Sequence, residues 1–276
     1  MLGVPAVTAY VITSVNDKKK LASVLTFVWS SYSFSYIFAP ATGGYLATFL
    51  GMQWVLRISA ILAAFSTMTF FFLHSQCPKK VETAISEYSS SSTEEKRLWR
   101  KMLVWSAFFT IVTFLVSLAR PYVQTLLDEE YHLGEFYVGL FGSINFAGVT
   151  FVGVVMGRLA DRWRKSGAIS LCLFLYVVSV VPLLLIRETT GLLLIAFLLG
   201  GSSVIFSLVS SFVGTIAPQA KQGLWVSIPQ TLSMLAATAA PYLGGYLYTI
   251  SPAYAFTASV IGIPFLALFA LAKLRD

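Results

Sequence analysis

Between Gln222 and Ala272 the chain carries no Asp, Glu, Lys or Arg. A helix crosses the hydrocarbon core of a bilayer in about 20 apolar residues. This one stretch therefore holds two crossings, and its length and the proline place the break at Thr249-Ile250-Ser251-Pro252. The rest of the composition agrees. Hydrophobic residues make up 57% of the chain and charged ones 11%, against about 25% charged in a soluble domain. So small a charged fraction cannot keep a surface wet, and the chain is read as an all-α polytopic membrane protein.

The same rule gives about eight full spans and a partial one. The partial one runs roughly from Leu2 to Ser14. The full spans run roughly from Leu21 to Phe49, Gln53 to Leu73, Met102 to Leu127, Phe136 to Met156, Gly167 to Ile186, Leu192 to Thr215, Gly223 to Tyr248 and Ala253 to Ala272. Ser31-Tyr32-Ser33-Phe34-Ser35-Tyr36 alternates as a strand would, but its flanks and length demand a helix in lipid. The one long polar segment, residues 75–101, separates the first spans from the last six. It is read as a cytoplasmic linker between 1–74, the remnant of one bundle, and 102–276, a six-helix bundle.

Basic residues set the orientation. Lys18 to Lys20, Lys79, Lys80, Lys96, Arg97, Arg100, Lys101, Arg158, Arg162, Arg164, Lys165, Lys221, Lys273 and Arg275 all fall on one side. The other side has Arg57, Arg120 and Arg187, with Asp128, Glu129, Glu130 and Glu135. The first side, including the C-terminus, is expected to be cytoplasmic. The net charge of +7 is spread over these loops and makes no polar domain, so nucleic acid is not expected as a partner. Cys77 and Cys172 fit neither a metal spacing nor a disulfide framework. His74 and His132 have no acid and nucleophile beside them at depth, so no enzyme is expected. Met1-Leu2-Gly3 has no basic leader.

A block recurs. Ala39-Pro40-Ala41-Thr42-Gly43-Gly44-Tyr45-Leu46 returns as Ala240-Pro241-Tyr242-Leu243-Gly244-Gly245-Tyr246-Leu247. The same offset pairs Lys20 with Lys221 and Thr26 with Ser227. This is a supersecondary unit used twice, as in transporters built from parallel repeats. Proline bends a helix and frees a carbonyl, and glycine lets a neighbouring helix come close. Pro40, Gly43, Gly44, Pro241, Gly244 and Gly245 thus suit a rocking interface, or static packing.

Gly157-Arg158-Leu159-Ala160-Asp161-Arg162-Trp163-Arg164-Lys165 joins two spans on the basic side. Here the chain resembles the major facilitator superfamily of secondary transporters, whose signature loop reads G-x-L-A-D-R-x-G-R-[RK]. Gly157, Leu159, Ala160, Asp161 and Arg162 match, and Arg164 stands where that loop has glycine. The repeated block resembles the family's G-P-x-x-G-G motif, commonest in antiporters, with Ala39 and Ala240 in place of its first glycine. The resemblance covers the whole chain. It implies two bundles of six spans, with this chain starting inside the fourth span and its first bundle incomplete. It also implies a multi-pass protein of the cell membrane that moves a small organic solute by alternating access. The full-length protein is expected to be a monomer. Proton-coupled efflux, import or uniport, and a truncated non-transporting remnant are the readings it leaves open. No cofactor is expected beyond a coupling proton.

Asp161 is expected beside the start of the Leu21 span, where a carboxylate accepts from free helix N–H groups. There it would latch two bundles, or serve only to orient the chain. Ser106, Thr110, Thr113, Ser117, Arg120 and Gln124 recur every three or four residues and share one helix face. That face is expected on a central cavity. Arg120 would hold an anionic group there, or reach the outer headgroups about 10 Å away. Asn145, Ser203, Ser207, Ser210, Ser227, Gln230, Thr231, Thr26, Ser30, Ser33, Tyr32 and Tyr36 are expected to edge the same cavity, or to bond between helices.

Overall fold

The computed structural model describes residues 20–72, 92–162, 165–217 and 222–273, together with Thr8, Val11, Ile12 and Val15. The expected partial span, much of the linker, and Trp163 and Arg164 of the signature loop lie outside the described residues. Those described form helices and short connections, without a strand.

The helices follow one another as rods. Helix α1, Leu21–Ser35, turns at Tyr36–Phe38 into α2, Ala39–Leu50. Pro40 sits in the first turn of α2, where its missing N–H costs nothing. A proline there also excludes the normal helical bond back to the preceding turn, so the rod breaks just ahead of it. Gly51, at φ 80°, then lets the chain reverse into α3, Met52–Phe72. Helix α4 is Ser92–Ala119. Arg120 and Pro121 make a turn, and the rod goes on through α5, Tyr122–Thr125, and a π-helical turn, Leu126–Glu130. Then come α6, Glu135–Arg162, α7, Lys165–Leu183, α8, Thr189–Ser202, and α9, Ile205–Ile216. Last are α10, Gln222–Ile250, α11, Pro252–Ile261, and α12, Ile263–Lys273.

Six stretches of the described residues are long and apolar enough to cross a membrane, including Leu21–Leu50, Trp99–Glu130 and Thr189–Ile216. Helix α10 has the length, at 29 residues, but its Gln230, Thr231 and Ser233 keep it less apolar than those six.

Packing, not removal from water, holds rods together in lipid. Aromatic contacts enclose α4 on several sides. Trp105 meets Phe212 of α9 at 4.7 Å between ring centres, and Phe108 stacks on Phe269 of α12 at 5.9 Å. Trp99 lies 5.9 Å from Trp225 at the start of α10. The outside is as apolar as the inside: Phe49, Leu185 and Phe265 are each more than 70% exposed. Helix α3 packs mainly on α2 and bares Trp54, Leu62 and Phe65.

Candidate functional site

The longest close approach runs along α1 and α2 on one side and α6 on the other. At its inner end the Asp161 carboxylate accepts from the Ala22 N–H at 3.2 Å and from the Ser23 N–H at 2.8 Å. Helix α1 has no side-chain cap of its own, because its N-cap residue is Lys20. Asp161 supplies that cap from another rod, opposite the positive end of the helix dipole. One turn further along α6, a Cβ at Gly157 would run into Thr26. A Cβ at Gly153 would meet the Ser30 hydroxyl at 2.5 Å. Thr150 donates to the Ser30 carbonyl at 3.4 Å.

At the outer end the repeated block takes over. A Cβ at Gly44 would lie 2.6 Å from the Glu135 carbonyl oxygen, and one at Gly139 would strike the Pro40 carbonyl. The Ala41 N–H, one of the unbonded donors of the first turn of α2, donates to the Ser143 hydroxyl at 2.9 Å. Gly43 points elsewhere, with only the Val55 side chain at 4.0 Å. The second copy packs on a different partner. Gly244 presses against the Leu118 carbonyl, Gly245 faces the Tyr122 hydroxyl, and Tyr122 donates to the Pro241 carbonyl at 2.7 Å. Pro241 leaves α10 unbroken, whereas Pro40 heads a new helix.

Beside this seam lies a cleft of about 190 Å³. Arg120, Gln124, Asn145 and Ser203 stand on its wall with Phe141, Phe146, Tyr176 and Phe256. Asn145 donates to the Ala196 carbonyl at 3.1 Å, and Tyr176 donates to the Ser259 hydroxyl at 3.1 Å. Tyr32 and Tyr36 join hydroxyl to hydroxyl at 2.9 Å on the exposed side of α1. The ring of Tyr36 lies 5.2 Å from that of Phe146, so the tyrosine pair abuts the cleft wall from the α1 side.

The polar face expected on α4 does not meet the cleft as a unit. The wall takes Val116, Ala119, Arg120, Val123 and Gln124 from this rod. Thr113 is buried and bonds the Phe109 carbonyl of its own helix at 2.8 Å, and Thr110 does the same with Ser106 at 2.7 Å. Hydroxyls satisfied in this way need no wet face. Ser106 is buried away from the wall, and Ser117 is half-buried off it. Gln230 is buried between rods and donates to the Ser210 hydroxyl at 3.3 Å. Thr231 is exposed and Ser207 half-buried, and neither is on the wall. Leu159 packs against the core, while Asp161 and Arg162 border an inner groove with Lys20, Phe27 and Arg158. An outer groove, bordered by Pro40, Gly43 and Gly44, shares Gln124 with the cleft and carries Asp128, Glu129 and Glu135.

Sequence reasoning had Asp161 at the start of α1, where it lies, but missed the aromatic wall and the rest of the α6 side of the seam. Gly139, Ser143, Thr150, Gly153, Gly157 and Asp161 follow one another at helical spacing. That stripe of small residues was the available signal.

Apolar rods meeting through glycines beside a cleft with a partly polar wall define a polytopic membrane protein. The sequence model of the Major Facilitator Superfamily matches residues 2–125 and again 109–276. The chain belongs to this superfamily, a family of transporters and not of enzymes. It is similar to the multidrug resistance protein MdtG of Proteus mirabilis, 25% identical over 271 residues that cover 94% of this chain and 66% of that protein. It is also similar to an uncharacterized MFS-type transporter of Methanocaldococcus jannaschii, 26% identical over 149 residues covering 52% of this chain and 37% of the relative. The chain thus spans 66% and 37% of the lengths of these two relatives.

Proposed function

We propose that this protein moves a small organic solute across the cell membrane by alternating access, with its C-terminus in the cytoplasm. One observation carries the reading. The seam between α1–α2 and α6 has glycine contacts along its length and is capped at the inner end by a single carboxylate, Asp161. Such a contact can part and re-form as a unit, because it rests on one charge-assisted pair of bonds and on close packing. The cleft beside it is the solute path, and Arg120, Gln124, Asn145 and Ser203 are its polar contacts.

Proton-coupled efflux is the direction this reading favours. Support comes from the name of the MdtG relative and from the resemblance of both proline–glycine blocks to an antiporter motif. Among the described residues the cleft wall has no carboxylate. Asp128, Glu129 and Glu135 border the outer groove that shares Gln124 with the cleft, and a coupling proton would travel on these.

Reconstitution in vesicles tests both levels. Solute flux should appear with the protein and rise when a pH gradient is imposed. Flux that ignores the gradient leaves a uniporter and removes the coupling. No flux for any solute removes the transport reading itself.

A further inference from the structure

Three arginines lie on the outer side of the chain, and two of them have partners. Arg57 rests over the Trp54 ring at 5.0 Å, and Arg187 over the Tyr131 ring at 5.7 Å. The Arg120 side chain has no ring beneath it, no carboxylate and no hydrogen bond among the described residues; its electrostatic neighbour is the Tyr176 phenol, with which it shares the cleft wall. The wall's other polar groups divide in two. Asn145, Tyr176 and Ser202 already donate to protein oxygens. Gln124 and Ser203 make no side-chain hydrogen bond with a described residue and face the same space.

Arg120 keeps open area toward the cleft, and a guanidinium set among apolar rods gains most from an opposite charge that meets it there. A cation entering this cleft would meet like charge, and a neutral solute would leave the charge as it found it. Four aromatic rings surround the remaining space and offer an apolar body somewhere to rest. At about 190 Å³ the cleft is smaller than the ~300–1,000 Å³ typical of sites for drug-sized ligands.

We propose that the cleft takes a small amphipathic anion, its acidic group on Arg120 and Gln124 and its apolar body among Phe141, Phe146, Tyr176 and Phe256. This assignment rests on reading the cleft as the solute path.

Benzoate, benzamide and benzylamine share a shape and differ in charge, so they serve as probes. Equilibrium dialysis against the purified full chain in neutral detergent should show benzoate binding about tenfold or more tightly than benzamide, as one charge-assisted contact supplies. Benzylamine should not compete. Arg120→Gln should bring benzoate down to the level of benzamide, and Arg120→Lys should keep part of the preference. An unchanged elution volume and melting temperature for each variant shows that the fold is intact, and Gln124→Leu gives a second, milder loss. The anion is overturned if benzamide or benzylamine binds as well as benzoate, if none of the three binds, or if Arg120→Gln changes nothing. Repeating the dialysis in phosphatidylcholine nanodiscs, with and without phosphatidylglycerol, separates a free anion from a lipid headgroup. Loss of benzoate binding on adding the anionic lipid assigns the site to lipid and overturns the solute. Vesicle flux keeps the two readings apart. Flux of benzylamine but not benzoate retains transport and removes the anion. Benzoate bound through Arg120 without flux of any solute does the reverse.

Discussion

Asp161 shows how much one side chain can do for a helix it does not belong to. It satisfies two of the free N–H groups of α1 from another rod. Removing a cap of this kind typically costs about 1 kcal/mol. Asp161→Ala should therefore lower the melting temperature in detergent and loosen the inner end, seen as faster thiol labelling of a cysteine placed at Ser23. An unchanged labelling rate would mean that the packing alone holds this end. The adjacent glycines make a sharper comparison. Gly44→Ala puts a methyl 2.6 Å from the Glu135 carbonyl oxygen, a backbone atom that cannot swing away, and should destabilise by about 1–3 kcal/mol. Gly43→Ala meets only the Val55 side chain at 4.0 Å and should be neutral. Thermal melts of the two variants side by side check the contrast; equal losses would mean the seam does not need the close approach.

At the scale of the element, the two copies of one block behave differently. Pro40 heads a new helix after a turn, while Pro241 sits inside an unbroken one. Sequence cannot distinguish them, since the residues are nearly the same. The surroundings do: Ser143 takes up the Ala41 N–H in one copy, and Tyr122 binds the Pro241 carbonyl in the other. Tyr122→Phe should cost about 0.5–1.5 kcal/mol, the worth of one hydrogen bond. Denaturation in mixed micelles would measure it, and no loss would mean the Gly244 contact alone fixes α10 on α4. The polar line on α4 misled for a related reason. A period of three to four residues identifies a helical face, but serine and threonine can spend their hydroxyls on their own backbone. Thr110 and Thr113 do so, and only Arg120 and Gln124, whose groups reach too far for that, arrive at the cleft.

For the whole molecule, accessibility to water is the measurement that joins these pieces. With Cys77 replaced by serine and Cys172 buried, Gln124→Cys and Ser203→Cys should react with aqueous thiol reagents. Val112→Cys, fully buried, should stay silent, and Ser117→Cys should react more slowly than Gln124→Cys. Fast labelling at Val112 would contradict the packing of α4. Much of the architecture was legible beforehand. Apolar run lengths and the break at Pro252 placed the rods, because a bilayer imposes length and internal bonding on whatever crosses it. The family could be read as well, because Gly157, Leu159, Asp161 and Arg162 stand together in one short stretch, expected as a loop and found as the last turns of α6. The cleft could be read only in part: Arg120, Gln124, Asn145 and Ser203 were expected on it, its aromatic wall was not. Phe146, Tyr176 and Phe256 come from three separate rods, and nothing in their own neighbourhoods separates a wall residue from a lipid-facing one. Local spacing thus determined which segments are helical and membrane-crossing. Which of their faces meet was decided only by the tertiary structure, since lipid is as apolar as a protein interior and hydrophobicity alone cannot choose between them.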